Sequence, residues 1–149
     1  MYYIKRYWRI IFPIFFICLS WALSATEGAQ SEADSSWWAT FFGLSNAFTR
    51  KLAHVFLFGA IGYSLTSFVK GLNSAIFPTH SQVIYPIILT AIYAAIDEVH
   101  QITVAGRSGE VGDVFLDTVA GIGGVLIYIA IFCFFRLWRL RRAYQKYAA

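Results

Sequence analysis

The chain has 149 residues, of which 58% are hydrophobic and only 13% charged, and its net charge is +4. A soluble domain is usually about a quarter charged, so an ordinary water-soluble fold is excluded and an integral membrane protein is expected, with no nucleic-acid partner. The two cysteines, Cys18 and Cys133, lie in apolar runs and form no CxxC, which excludes a disulfide framework.

A helix needs roughly 20 apolar residues to cross the hydrocarbon. The first segment that qualifies is about Trp8 to Ala25, "WRIIFPIFFICLSWALSA", with Pro13 near its start. Its basic beginning and the small residues Ala22, Ser24 and Ala25 also fit a cleaved signal peptide, although the apolar run is long for one. A polar, loop-like stretch follows. Trp37, Phe41, Leu44 and Phe48 then recur at helical spacing, with Ser35 or Ser36 as the N-cap. This predicts a short helix over about 37–48, either lying in the membrane interface or packed on the bundle.

The second span is Leu52 to Val69, and 70–82 forms a short loop. The third begins at Val83 and has only fourteen apolar residues before Asp97. At about 1.5 Å per residue they cover about 21 Å of a roughly 30 Å core. The helix is therefore expected to run on to Gln101, carrying Asp97 and Glu98 to the membrane surface. The fourth span covers 113–135 with Asp117 inside it, and a basic tail fills 136–149. One domain, 1–149, is predicted: an all-α integral membrane bundle of four transmembrane helices with a short interfacial helix.

Four spans put both termini on one side. That side holds Lys5, Arg6, Arg9, Lys70, Arg136, Arg139, Arg141, Arg142 and Lys146, nine of the twelve basic residues. The other side holds all eight acidic residues with Arg50, Lys51 and Arg107. The positive-inside rule then makes the termini cytoplasmic.

On the outer side, Lys51 and His54 are one turn apart at the start of the second span. Asp97 and Gln101 are four apart at the end of the third, and Asp113 and Asp117 four apart at the start of the fourth. Glu98 and His100 turn away from this face, although His100 stays three residues from Asp97; the bland reading is that both face headgroups and are solvated, the functional one that Glu98 joins the site. Arg107 sits between the third and fourth spans in a glycine-rich loop. Ionisable groups at membrane depth cost about 2.5–3.5 kcal/mol each, so they should face one another across a pocket open to the outside. Gly121 and Gly124 allow close helix contact beneath it. A purely structural network of Asp97, Arg107 and Asp113 is the alternative.

"RKLAHVFLFGAIG" followed by "AIDEVHQITVAGRSGEVGDVFLDTVAGIGG" resembles the VanZ-like family of bacterial membrane proteins. The matching positions are Lys51, His54, Asp97, Glu98, Gln101, Arg107, Asp113, Asp117 and Gly121. The resemblance extends over about 21–128. It implies a small multi-span protein of the bacterial cytoplasmic membrane, of a family associated with resistance to teicoplanin, a lipid-tailed glycopeptide acting on cell-wall precursors. It assigns no catalytic residues.

Three functions follow as expectations. The pocket engages a lipid-linked cell-wall precursor or a lipid-tailed glycopeptide, with Lys51 and Arg107 on phosphate or carboxylate. The outer side sums to three cations and eight acids, and that field favours a cation, or an anion bridged by a metal. Alternatively, the chain is an intramembrane enzyme acting on a lipid-linked phosphate or glycan. His54, Asp97, Glu98 and Asp113 are then the catalytic candidates, and no nucleophile motif surrounds Ser108. A proton-relaying transporter is the least supported, because the inner halves of the spans lack polar residues. No cofactor is expected and no HExxH-type metal frame is present. Besides membrane lipids, the partner could be a second copy packed through the glycine faces.

Overall fold

The computed structural model describes residues 2–72 and 75–148, with the side chains of 2–6, 147 and 148 left out. Lys5 and Arg6, counted above for orientation, therefore have no described side chains, and Ala149 lies outside the described residues. Among these residues the chain is all-helical: α1 (Tyr2–Ser24), α2 (Gly28–Phe42), α3 (Asn46–Leu72), α4 (His80–Ile102) and α5 (Val111–Ala148). All but α2 are long and apolar enough to cross a membrane. Large apolar side chains such as Phe12, Phe56, Ile92 and Phe134 point outward from them. That is the surface a bundle needs when lipid is its solvent, since apolar groups gain nothing there by being hidden.

Helix α3 is central and packs on each of the others. Its small core consists of Leu57, Phe58, Ile61 and Leu65 with Ala94 of α4. Phe58 stacks between the rings of His54 and Tyr93. Below this layer α3 and α5 meet backbone to backbone, Gly62 against Gly121 and Gly59 against Gly124. A Cβ at Gly62 or Gly124 would overlap a carbonyl of the facing helix. Hydroxyls within the bundle bond their own helices: Thr66 to the Gly62 carbonyl at 2.7 Å and Thr90 to the Pro86 carbonyl at 2.8 Å. No buried hydroxyl of that pair is left without a partner.

The predicted 70–82 loop is shorter than expected, since α3 runs on to Leu72 and α4 starts at His80 rather than Val83, and two elements depart further from the sequence expectation. The short helix spans Gly28–Phe42, not 37–48, and its N-cap is Glu27, not Ser35 or Ser36. The polar stretch read as a loop is helical, and its side chains find their partners within the helix. Ser35 donates to the Glu32 carbonyl, Ser36 to the Ala33 carbonyl, and Gln30 to Asp34. Its buried positions are Ser35 and Ala39, so it docks through small residues and shows no apolar period. Gly43 ends it in the left-handed conformation (φ 67°), with the Leu44 amide returning to the Ala39 carbonyl at 2.8 Å. Phe48 accordingly belongs to α3. The second departure is the basic tail, which is no separate segment but the end of α5, helical to Ala148. There the Arg142 guanidinium lies 3.8 Å from the Trp138 ring centre.

Candidate functional site

The ends of α1 and α4 and the beginnings of α3 and α5 meet at one end of the bundle, and the charged and amide side chains pair there. His54 Nδ1 lies 3.1 and 3.2 Å from the two carboxylate oxygens of Asp117. One turn earlier on both helices, Lys51 Nζ donates to Asp113 Oδ1 at 3.2 Å. Residues 51 and 54 on α3 thus engage 113 and 117 on α5, two rungs between the same helix faces. The rungs differ in environment: Asp117 is only 1% exposed, whereas the Lys51 side chain is 53% exposed. Exposed pairs contribute little because water screens them. Lys51→Ala is therefore expected to leave the thermal midpoint of the purified protein unchanged, as a melting curve would record.

Asp97, also 1% exposed, anchors a second chain of contacts. Its Oδ2 accepts from Ser24 Oγ of α1 at 2.8 Å and from Gln101 Nε2 at 3.0 Å. Because Gln101 donates through its nitrogen, its Oε1 is free to accept from Arg107 Nη2 at 2.8 Å. Arg107 Nη1 reaches Ser31 Oγ of α2 at 3.4 Å, and Nε has no partner though it is buried. A neutral amide thus separates carboxylate from guanidinium, and Arg107 makes no ion pair among the described residues. Burial pushes its guanidinium below its ordinary range, with Arg50 adding to this and Asp97, Glu98 and Asp113 opposing it. The structural alternative of an Asp97–Arg107–Asp113 ion-pair network is not what forms; the direct partners of Arg107 are neutral.

The bland reading put Glu98 and His100 in solvent, and neither is there. Glu98 is buried and accepts the backbone N–H of Glu110, which closes the α4–α5 connection onto α4. His100 is half-buried with its ring 3.9 Å from that of Trp21. In the same connection Gly106 adopts φ 73°, and the Gly28 amide at the start of α2 donates to the Ala105 carbonyl at 3.0 Å. A Cβ on Gly28 would meet the Gly106 carbonyl, so glycine is what lets α2 close over this end.

A cavity of about 230 Å³ opens beside the cluster. Its polar lining comes from Ser24, Ser31, Asp34, Arg50, His54 and Arg107, and its apolar lining from Leu23, Trp38 and Leu57. It lies between α1, α2 and α3, whereas the sequence placed a pocket among the second, third and fourth spans. Of the predicted residues, His54 and Arg107 line it. Lys51, Asp97, Glu98, Gln101, Asp113 and Asp117 stand behind, holding those two or closing the end of the bundle. Among the described residues, no three His, Cys, Asp or Glu side chains group as metal ligands.

Sequence reasoning missed Ser24, Ser31, Asp34, Trp38 and Arg50. Ser24 was read only as a small residue ending the first span, Ser31 and Asp34 looked like linker composition, and no local signal marks a serine as the partner of a carboxylate 73 residues away.

Four membrane-length helices around a paired polar cluster at one end define a membrane-helix bundle with a built cavity. The VanZ/LLP1 family model matches residues 1–136, and the chain belongs to that family. No curated protein and no solved structure matches it.

Proposed function

We propose that the cavity holds the anionic headgroup of a lipid-linked molecule at the outer face of the membrane. The observation that carries this is Arg107, a half-buried guanidinium lining a cavity whose direct partners are all neutral. Arg50 adds a second cation, and a guanidinium suits phosphate or carboxylate geometry. The acid-rich sum of this end favours a cation at long range, but direct contact with the ligand is made by the lining. Asp97, Asp113 and Asp117 are instead engaged behind the lining, and Asp34 is the one acid in it. Trp38, Leu23 and Leu57 offer an apolar wall to the lipid tail. The excess of Lys and Arg at the opposite end supports an outward-facing cavity and cytoplasmic termini. In a bacterial membrane, a lipid-linked cell-wall precursor and a lipid-tailed glycopeptide of the teicoplanin type both present such groups there. Capture of either is a route to resistance.

The test uses protein in nanodiscs titrated with a polyprenyl diphosphate, followed by the fluorescence of its tryptophans, of which Trp38 lines the cavity. Arg107→Gln removes charge-assisted hydrogen bonds of about 1.5–3 kcal/mol, so affinity is expected to fall by about tenfold or more. Unchanged affinity in a folded variant refutes the reading.

One observation favours an enzyme as the second reading. His54 lines the cavity while Asp117 holds its Nδ1, which leaves Nε2 as the ring nitrogen able to exchange a proton with a bound substrate. Headgroup release detected by mass, lost in His54→Gln, distinguishes catalysis from capture. Intact probe after prolonged incubation rejects it.

A further inference from the structure

The opposite end of the bundle carries its own cluster, and it is one-signed. Lys70, near the end of α3, is only 6% exposed. Its Nζ donates to the Ala75 carbonyl at 2.6 Å and lies 4.8 Å from the Phe132 ring centre. Its charged neighbours are Arg9 and Arg136, and Gly71 lacks the Cβ that would meet the Arg9 side chain at 2.6 Å. Arg136 holds a buried Nε with no hydrogen-bond partner. Among the described residues none of these cations pairs with a carboxylate, and every Asp and Glu falls within 27–34 or 97–117, at the other end of the helices. Sorting during membrane insertion asks for basic residues on one side, but it does not ask that a lysine be buried against two arginines. Like charges gathered in a poorly hydrated place repel, and an anion brought between them relieves that.

Beside this cluster is an open cavity of about 390 Å³. Tyr128, Ile131, Phe132 and Phe135 of α5 form its wall, with Ile76 opposite, while Arg136 and Arg139 stand at its polar rim. Its shape repeats the layout of one molecule: a phosphate end and a hydrocarbon end. We infer that this is a binding site for an anionic glycerophospholipid, its phosphate held by Arg136 and Arg139, with the buried Lys70 charge behind them, and its acyl chain laid along the α5 aromatic wall. The charge complementarity and the apolar wall together select a lipid over free phosphate, which would leave the wall uncovered, and over zwitterionic lipid, which brings no net charge. The site is separate from the Arg107 cavity and does not depend on it.

The experiment is native mass spectrometry of the full chain, released from nanodiscs of mixed phosphatidylglycerol and phosphatidylcholine. The wild type is expected to retain one phosphatidylglycerol in preference to phosphatidylcholine. Arg136→Gln with Arg139→Gln is expected to lower that retention about tenfold. Ile131→Trp, which fills the cavity and leaves every charge in place, is expected to lower it as well. Arg141→Gln, which removes a charge outside the cavity, and Arg107→Gln, at the other end, are expected to retain the lipid. Equal retention of the two lipids by the wild type overturns the inference. So does full retention in Ile131→Trp, or a loss in Arg141→Gln as large as in the double variant, either of which would mean that diffuse charge is responsible. Lys70 is left intact throughout because its burial makes a folding defect the first consequence of replacing it.

Discussion

Alanine at Gly124 or Gly62 is expected to force α3 and α5 apart and to cause a large loss of folded protein. The new Cβ would overlap the Gly59 carbonyl in one case and the Gly121 carbonyl in the other. Backbone on both sides means that no side-chain rotation can relieve the overlap. Overpacking of this kind costs about 1–3 kcal/mol and sometimes more, a large part of the margin by which a small protein stays folded. The same shift would misalign both rungs above it, since Lys51, His54, Asp113 and Asp117 all stand on these two helices. Gly123→Ala is the matched control, because nothing lies within 4 Å of its would-be Cβ. Monodisperse yield and thermal midpoint in one detergent read the difference. A Gly124→Ala protein that melts with the wild type would contradict the helix contact itself.

Removing one member of the His54–Asp117 pair is expected to be damaging as well. His54→Ala leaves Asp117 in a place almost without solvent, facing no other hydrogen-bonding side chain. Breaking a buried pair in this way costs about 3–5 kcal/mol, mostly for the charge left behind. Replacing both residues, His54→Ala with Asp117→Leu, is expected to recover much of the loss, because the stranded carboxylate is then gone. The cycle of both singles and the double, measured as unfolding midpoints, decides whether the pair acts as a unit. Additive losses would show that the two side chains are stabilised independently.

The spans were legible because hydrocarbon thickness sets a length that composition must satisfy; the shared faces of Lys51 with His54 and of Asp113 with Asp117 were legible from their spacing, but not which residue pairs with which across the two helices. Even the continuation of α4 past its apolar run could be read, since fourteen residues are too few to cross. What the sequence hid was everything that depends on a distant partner. Glu98 looked solvent-facing by its angle on α4, but the amide of Glu110 needs an acceptor, and only the folded connection brings the two together. The polar start of α2 looked like a linker because its docked face is serine and alanine, chosen for size, so no hydrophobic period betrays it. Net charge is silent on placement for a related reason: it counts carboxylates equally, whereas only Asp34 among them lines the cavity. Gln101 is the residue on which that distinction turns, its amide standing between Asp97 and Arg107.

The length of α5 has a consequence for how its far end stays ordered. Its 38 residues extend about 57 Å, nearly twice the roughly 30 Å of hydrocarbon. The surplus, some four or five turns, stands where water competes for its peptide groups. A free peptide of that size would unwind, because starting a helix is the costly step. Here the membrane-held portion has already taken that step, and each further turn only extends it. The arginine-bearing end thus needs no nucleus of its own: it is helical as the extension of a segment already wound.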